Sequence, residues 1–261
     1  MDSKGKGLCL TIGSVAAIVG YMLWQFVVIG MDTKYDDVVG NLLAAADGSG
    51  MMPILVILIG VGLIINAAGL NGIKGLVGGS AESIGIFCVT AAIFMFVVSL
   101  GGAVAMGEVG NEFVAKSAQA VAAAGAAATA AGAGDAAAAA TAAATAAAAA
   151  DVATALGAAG GYTLAANTAI SQLGGLLFSL GFLCIGLAYK GSDFKGALSF
   201  IPLGWLAILA GAIGLVSTII IGSINVDTSS QITGIAFLLS VIWSVLVGVK
   251  LMGASGDDIR K

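Results

Sequence analysis

The chain has 261 residues, of which 59% are hydrophobic, 9% are charged and 40 are glycine. A soluble domain carries about 25% charged residues, so this composition cannot cover a water-exposed surface. Disorder requires low hydrophobicity with high net charge, and a formal charge of −4 is too weak to point to nucleic acid as a partner. What is left is an all-α, polytopic integral membrane protein whose first partner is the lipid bilayer.

A membrane-crossing helix needs roughly 20 mostly apolar residues, and such runs fit only in the gaps between charges. In chain order the gaps predict six spans, at 8–30, 51–70, 83–106, 170–189, 197–221 and 232–249. The first resembles a signal peptide. Its apolar run of about 23 residues exceeds the 7–15 of a signal h-region, and no small-x-small cleavage site follows it, so it is read as an uncleaved span. Pro53 and Pro202 fall in the first turns of spans two and five, where proline is tolerated.

Between spans three and four, residues 118–150 include 24 alanines in 33 positions and no proline. Alanine is the best helix former. Glycines at 125, 132, 134, 157, 160 and 161 are expected to break the run, and Gly134-Asp135 reads as a turn followed by an N-cap. Two helices at 111–131 and 136–156, folded as an external or periplasmic Ala-rich hairpin, are expected. A flexible low-complexity linker and a hairpin inserted as two further spans are the alternatives. The chain thus divides into a membrane half at 1–106, the hairpin at 107–169 and a second membrane half at 170–261.

Orientation follows from Lys and Arg, which accumulate in short cytoplasmic loops. With the N-terminus inside, Lys4, Lys6, Lys74, Lys190, Lys195, Lys250, Arg260 and Lys261 are cytoplasmic, and only Lys34 and Lys116 are outside. The external segments are acidic instead, as at Asp32, Asp36, Asp37 and Asp47. Both termini are therefore expected in the cytoplasm, and the plasma (inner) membrane is the expected location. Trp24, Tyr21, Tyr189 and Trp205 lie toward span ends, where amphipathic rings favour the interface. Trp243 is mid-span and is read as a packing residue.

Little in the chain suggests chemistry. It has no His, which excludes His-ligated haem and a His-based triad. Cys9, Cys88 and Cys184 fall one per span, as small packing residues do. No charge sits near the middle of a span, where proton relays and voltage sensors carry theirs. No catalytic, cofactor or metal site is expected. The polar mid-span residues that stand out are Gln25, Asn66, Ser179 and Ser217, each either an interhelical hydrogen-bonding group or part of a pore lining. Gly60, Gly181, Gly211 and Gly214 are expected at close helix–helix contacts. Three spans on each side of the alanine segment would also suit an inverted repeat. The matching loops are too short to carry that reading. The expected function is a non-catalytic accessory or structural subunit that packs laterally against other membrane subunits or further copies of itself. A channel or facilitator for a small neutral solute is the alternative.

Overall fold

The computed structural model describes residues 2–30, 33–34, 36–221 and 224–253, and among these the regular structure is entirely helical, with no strand. Asp32, Arg260 and Lys261, used above for orientation, lie outside the described residues. The helices are α1 (Ser3–Trp24), α2 (Val38–Asp47), α3 (Met52–Gly72), α4 (Ser80–Gly132), α5 (Ala136–Lys190), α6 (Leu203–Val216) and α7 (Val226–Gly253). α1 and α6 each continue into a π-helical turn, Gln25–Ile29 and Ser217–Ile221. Among the described residues six helices are long and apolar enough to cross a membrane: Ser3–Ile29, Met52–Gly72, Ser80–Gly132, Ala136–Lys190, Leu203–Ile220 and Gln231–Gly253. They fall on the six apolar runs of the sequence. Pro53 is the second residue of α3, and Pro202 immediately precedes α6, accepting from Leu206 N at 3.0 Å.

The largest departure from expectation is helix length. Segments 83–106 and 111–131 belong to one 53-residue helix, α4, and 136–156 and 170–189 to one 55-residue helix, α5. Gly125, Gly157, Gly160 and Gly161 stay helical. Glycine weakens a helix by about 1 kcal/mol relative to Ala but removes no hydrogen-bond donor, so alanine neighbours carry the helix through it. Only 133–135 breaks the run, and Gly132 is the last residue of α4. Gly134 adopts φ 78°, which an L side chain rarely tolerates, and the Asp135 side chain then accepts from Ala138 N at 3.0 Å to cap α5.

The chain forms two compact units. The first comprises Met1–Leu23, Ile54–Leu100 and Thr168–Lys261; the second comprises Trp24–Pro53 and Gly101–Asn167. In the first unit large apolar side chains such as Trp243, Phe182 and Leu10 fill the interior, yet many others lie on the outer surface. Large apolar side chains such as Ile57, Phe87, Phe94 and Leu187 face outward. Ser14, Asn66, Ser179, Ser240 and Ser244 are buried beside Ala17, Ala92, Ala207 and Ala210. Small interior residues suit lipid-embedded helices, because the attraction between them comes from close packing and hydrogen bonds.

Four glycine pairs set those close approaches. A methyl group on Gly248 (α7) would lie 2.6 Å from Gly7 O (α1), and one on Gly13 (α1) 2.7 Å from Gly62 O (α3). One on Gly181 (α5) would lie 2.8 Å from Gly85 O (α4), and one on Gly204 (α6) 2.9 Å from Gly186 O (α5). Gly13 and Gly20, Gly62 and Gly69, Gly174 and Gly181, and Gly204 and Gly211 are each seven residues apart. Seven residues are nearly two helical turns, so each pair stays on one face.

In the second unit, α2 is started by Asp37, whose side chain accepts from Gly40 N at 2.8 Å. Its Leu42 is fully buried, with its carbonyl against Gly110. A methyl on Gly160 would fall 2.8 Å from Leu42 Cδ1, and one on Gly161 3.7 Å from Val38. The glycines expected to break the helix are instead where α2 seats its side chains. Along 118–150 and just beyond, half-buried positions recur at Ala120, Ala123, Ala127 and Ala130, and again at Ala139, Ala142 and Ala146, followed by the buried Ala149 and Ala153. Every other position from 118 to 150 is exposed. Alternating steps of three and four are the heptad spacing of a helix–helix seam.

The interfacial aromatics are only partly as expected. Trp205 is 55% exposed, with Lys190 Nζ 4.5 Å above its ring. Tyr189 and Trp24 are buried instead. Tyr189 is drawn inward by edge-on contacts with Trp243 at 5.2 Å and Phe194 at 5.9 Å.

Candidate functional site

The polar centre of the first unit is built by the crossing of α1 and α3. Because Gly13 and Gly62 let the two backbones touch, Ser14 and Asn66 come within direct reach of each other. Asn66 Nδ2 donates to Ser14 Oγ at 2.6 Å and more weakly to Leu10 O at 3.5 Å, while Ser14 Oγ donates to Leu10 O at 2.7 Å. From α7, Ser240 and Ser244 lie one turn apart on one face, and Ser240 Oγ donates to Phe237 O at 2.6 Å. These four side chains line a cavity of about 20 Å³, which Leu63, Ile93 and the rings of Phe96, Phe178, Phe182 and Phe237 enclose on the other sides. Phe178 joins the rings, with centroids 4.7 Å from Phe182, 6.0 Å from Phe237 and 6.3 Å from Phe96.

The other polar residues marked by the sequence do not converge here. Ser179 is buried against Gly214 and donates to Gly175 O within its own helix at 2.7 Å. Ser217 ties the π-helical turn after α6 to α7, donating to Ser229 O at 2.6 Å and meeting Thr233 Oγ1 at 3.0 Å; Ser229 Oγ donates back to Ser217 O at 2.9 Å. Gln25 is half-buried in the π-helical turn after α1 and lines no part of the cavity.

Among the glycines, Gly181 and Gly211 are at tight crossings. A methyl on Gly211 would lie 2.6 Å from Ser179 O and 2.7 Å from Leu183 N. Gly214 faces the Ser179 hydroxyl, with Ala236 next at 3.5 Å. Gly60 differs. A methyl there would reach only Leu100 Cδ1 at 3.8 Å, an ordinary contact, because the α1–α3 approach runs through Gly62 and Gly69 on another face of the helix.

Two features escaped the sequence reading. Ser14, Ser240 and Ser244 complete the cavity, and their signal was a serine pair at i, i+4 within an apolar run. Glu82, in the first turn of α4, is fully buried. Its carboxyl oxygens accept from Gly75 N at 2.8 Å, Gly78 N at 3.0 Å and Val77 N at 3.2 Å. Gly75, Gly78 and Gly79 all adopt positive φ, which turns successive N–H groups inward into an anion-holding nest. A glycine-rich loop followed by an acid in the next helix's first turn was the available signal.

The cavity lining contains no titratable group, so it offers neither an acid–base pair nor a nucleophile. Among the described residues no three His, Cys, Asp or Glu side chains gather as metal ligands. The site can accept and donate hydrogen bonds to something small. Comparison with protein-family models, curated proteins and solved structures returned no match.

Proposed function

We propose that the chain is a non-catalytic, multi-pass membrane protein that serves as an accessory or structural subunit, packing laterally in a larger membrane assembly or against copies of itself. In this reading six helices cross the plasma (inner) membrane with both termini cytoplasmic, and the alanine stretches of α4 and α5 form an external hairpin closed at Gly134. The observation that carries it is the bareness of that segment. Apart from one seam of alanines, every position from 118 to 150 is exposed. Alanine buries little apolar area, so two such helices gain little from folding on each other and call for a further surface to lie against.

Replacing residues 118–150 with a short Gly/Ser linker tests this reading. The six spans are expected to insert as before, while association with partner subunits or other copies weakens, as read from the size and composition of detergent-extracted complexes. An unchanged complex would reduce the hairpin to a spacer. Loss of insertion would favour two additional spans.

The cavity lends support to a second reading, a facilitator for a small neutral solute. Its four neutral polar side chains suit such a solute. Its size and its wall of four phenylalanines favour a closed, packed interior.

A further inference from the structure

We propose that the cavity between α1, α3, α4, α5 and α7 is a binding site for a single water molecule, which links α3 to α7 through Asn66, Ser240 and Ser244. A buried water needs roughly 10–15 Å³ of room for its centre and two to four polar partners, and dry cavities are lined by apolar groups alone. This cavity has about 20 Å³, with four polar side chains on its wall. All four are at least nine-tenths buried, so bulk water does not reach them freely.

Their protein partners leave hydrogen-bonding capacity over. Asn66 commits its amide hydrogens to Ser14 Oγ and Leu10 O, and no described residue donates to Asn66 Oδ1. Ser240 Oγ spends its proton on Phe237 O and keeps its lone pairs. Ser244 Oγ makes no hydrogen bond among the described residues and its side chain lines the cavity. A polar group buried in apolar surroundings without a partner is costly. One water can donate to Asn66 Oδ1 and Ser240 Oγ while accepting from Ser244 Oγ, and so satisfy all three. No protein hydrogen bond joins α3 to α7 among the described residues, so the water would be their polar link.

The test is water-edited solid-state NMR on the isotopically labelled full chain in phosphatidylcholine–phosphatidylglycerol bilayers. Polarisation from water protons is expected to reach the Asn66 side-chain amide and Ser244 well before the Ile93 methyls, although Ile93 lines the same cavity. Ser244→Val fills the space with methyl groups and removes one partner, and is expected to abolish transfer to Asn66. Should Ser244→Val fail to fold, Ser240→Ala is expected to slow the transfer without abolishing it. Transfer to Asn66 no faster than to Ile93 in the native chain, or transfer undiminished in the folded variants, would overturn the proposal.

Discussion

The glycine-crossed bundle of the first unit and the alanine helices of the second use small residues in opposite ways. In the bundle, glycine sits where backbones meet. Gly13 against Gly62 and Gly181 against Gly85 bring carbonyl oxygens within 3.0 Å of where a methyl group would stand. The outer faces then carry Ile57, Phe87, Phe94 and Leu187, side chains that lipid accommodates well. Along the alanine segment small residues occupy the seam and the outer face alike. Gly125 and Gly132 there have open space around them. Small size creates a close contact only where a second backbone is brought against it, so glycine count alone cannot distinguish the two regions.

This contrast can be broken by substitution. Gly181→Leu drives a side chain into Val89 and the Gly85 carbonyl, and is expected to destabilise by about 3 kcal/mol or to prevent recovery of folded protein. Thermal unfolding of purified protein in mild detergent is the measurement. A variant with unaltered midpoint would remove Gly181 from the set of close crossings.

Glu82→Ala sharpens the contrast within the bundle. It leaves the N–H groups of Gly75, Val77 and Gly78 without their acceptor, at an expected cost of roughly 1–3 kcal/mol. Amide hydrogen exchange should rise first across 73–79. Unchanged protection there would mean that the loop is held by something other than the Glu82 carboxyl group.

The smallest effect is expected in the alanine region and has the opposite sign. Gly125→Ala adds a methyl to open space on an exposed helical face, and alanine is favoured over glycine by about 1 kcal/mol. A small gain in helix stability, read by hydrogen exchange at neighbouring amides, is the expected outcome. A loss would imply that Gly125 faces a close neighbour.

The apolar runs were legible because they are long and charge-free, and charge gaps need no knowledge of packing. Helix continuity was not legible. Gly160 and Gly161 look like breaks in sequence, and only the arrival of Leu42 and Val38 from α2 shows that their smallness is used for packing. α2 itself is ten residues long, too short to stand out among runs measured against a membrane. Asn66 could be singled out as an amide in an apolar run. Its partners could not, since Ser14 is 52 residues away and meets it only through the Gly13–Gly62 crossing. Gly60 shows the same limit from the other side, because its face of α3 could not be told from that of Gly62 by composition.

The measurement closest to the central claim is residue accessibility in intact cells, using a background in which Cys9, Cys88 and Cys184 are replaced. Ala124→Cys, on an exposed position of α4, and Asp193→Cys, between α5 and α6, would each be treated with a membrane-impermeant maleimide. The account predicts that Ala124→Cys is labelled from outside and Asp193→Cys only after permeabilisation. Protection of Ala124→Cys from both sides, or labelling of Asp193→Cys in intact cells, would contradict it.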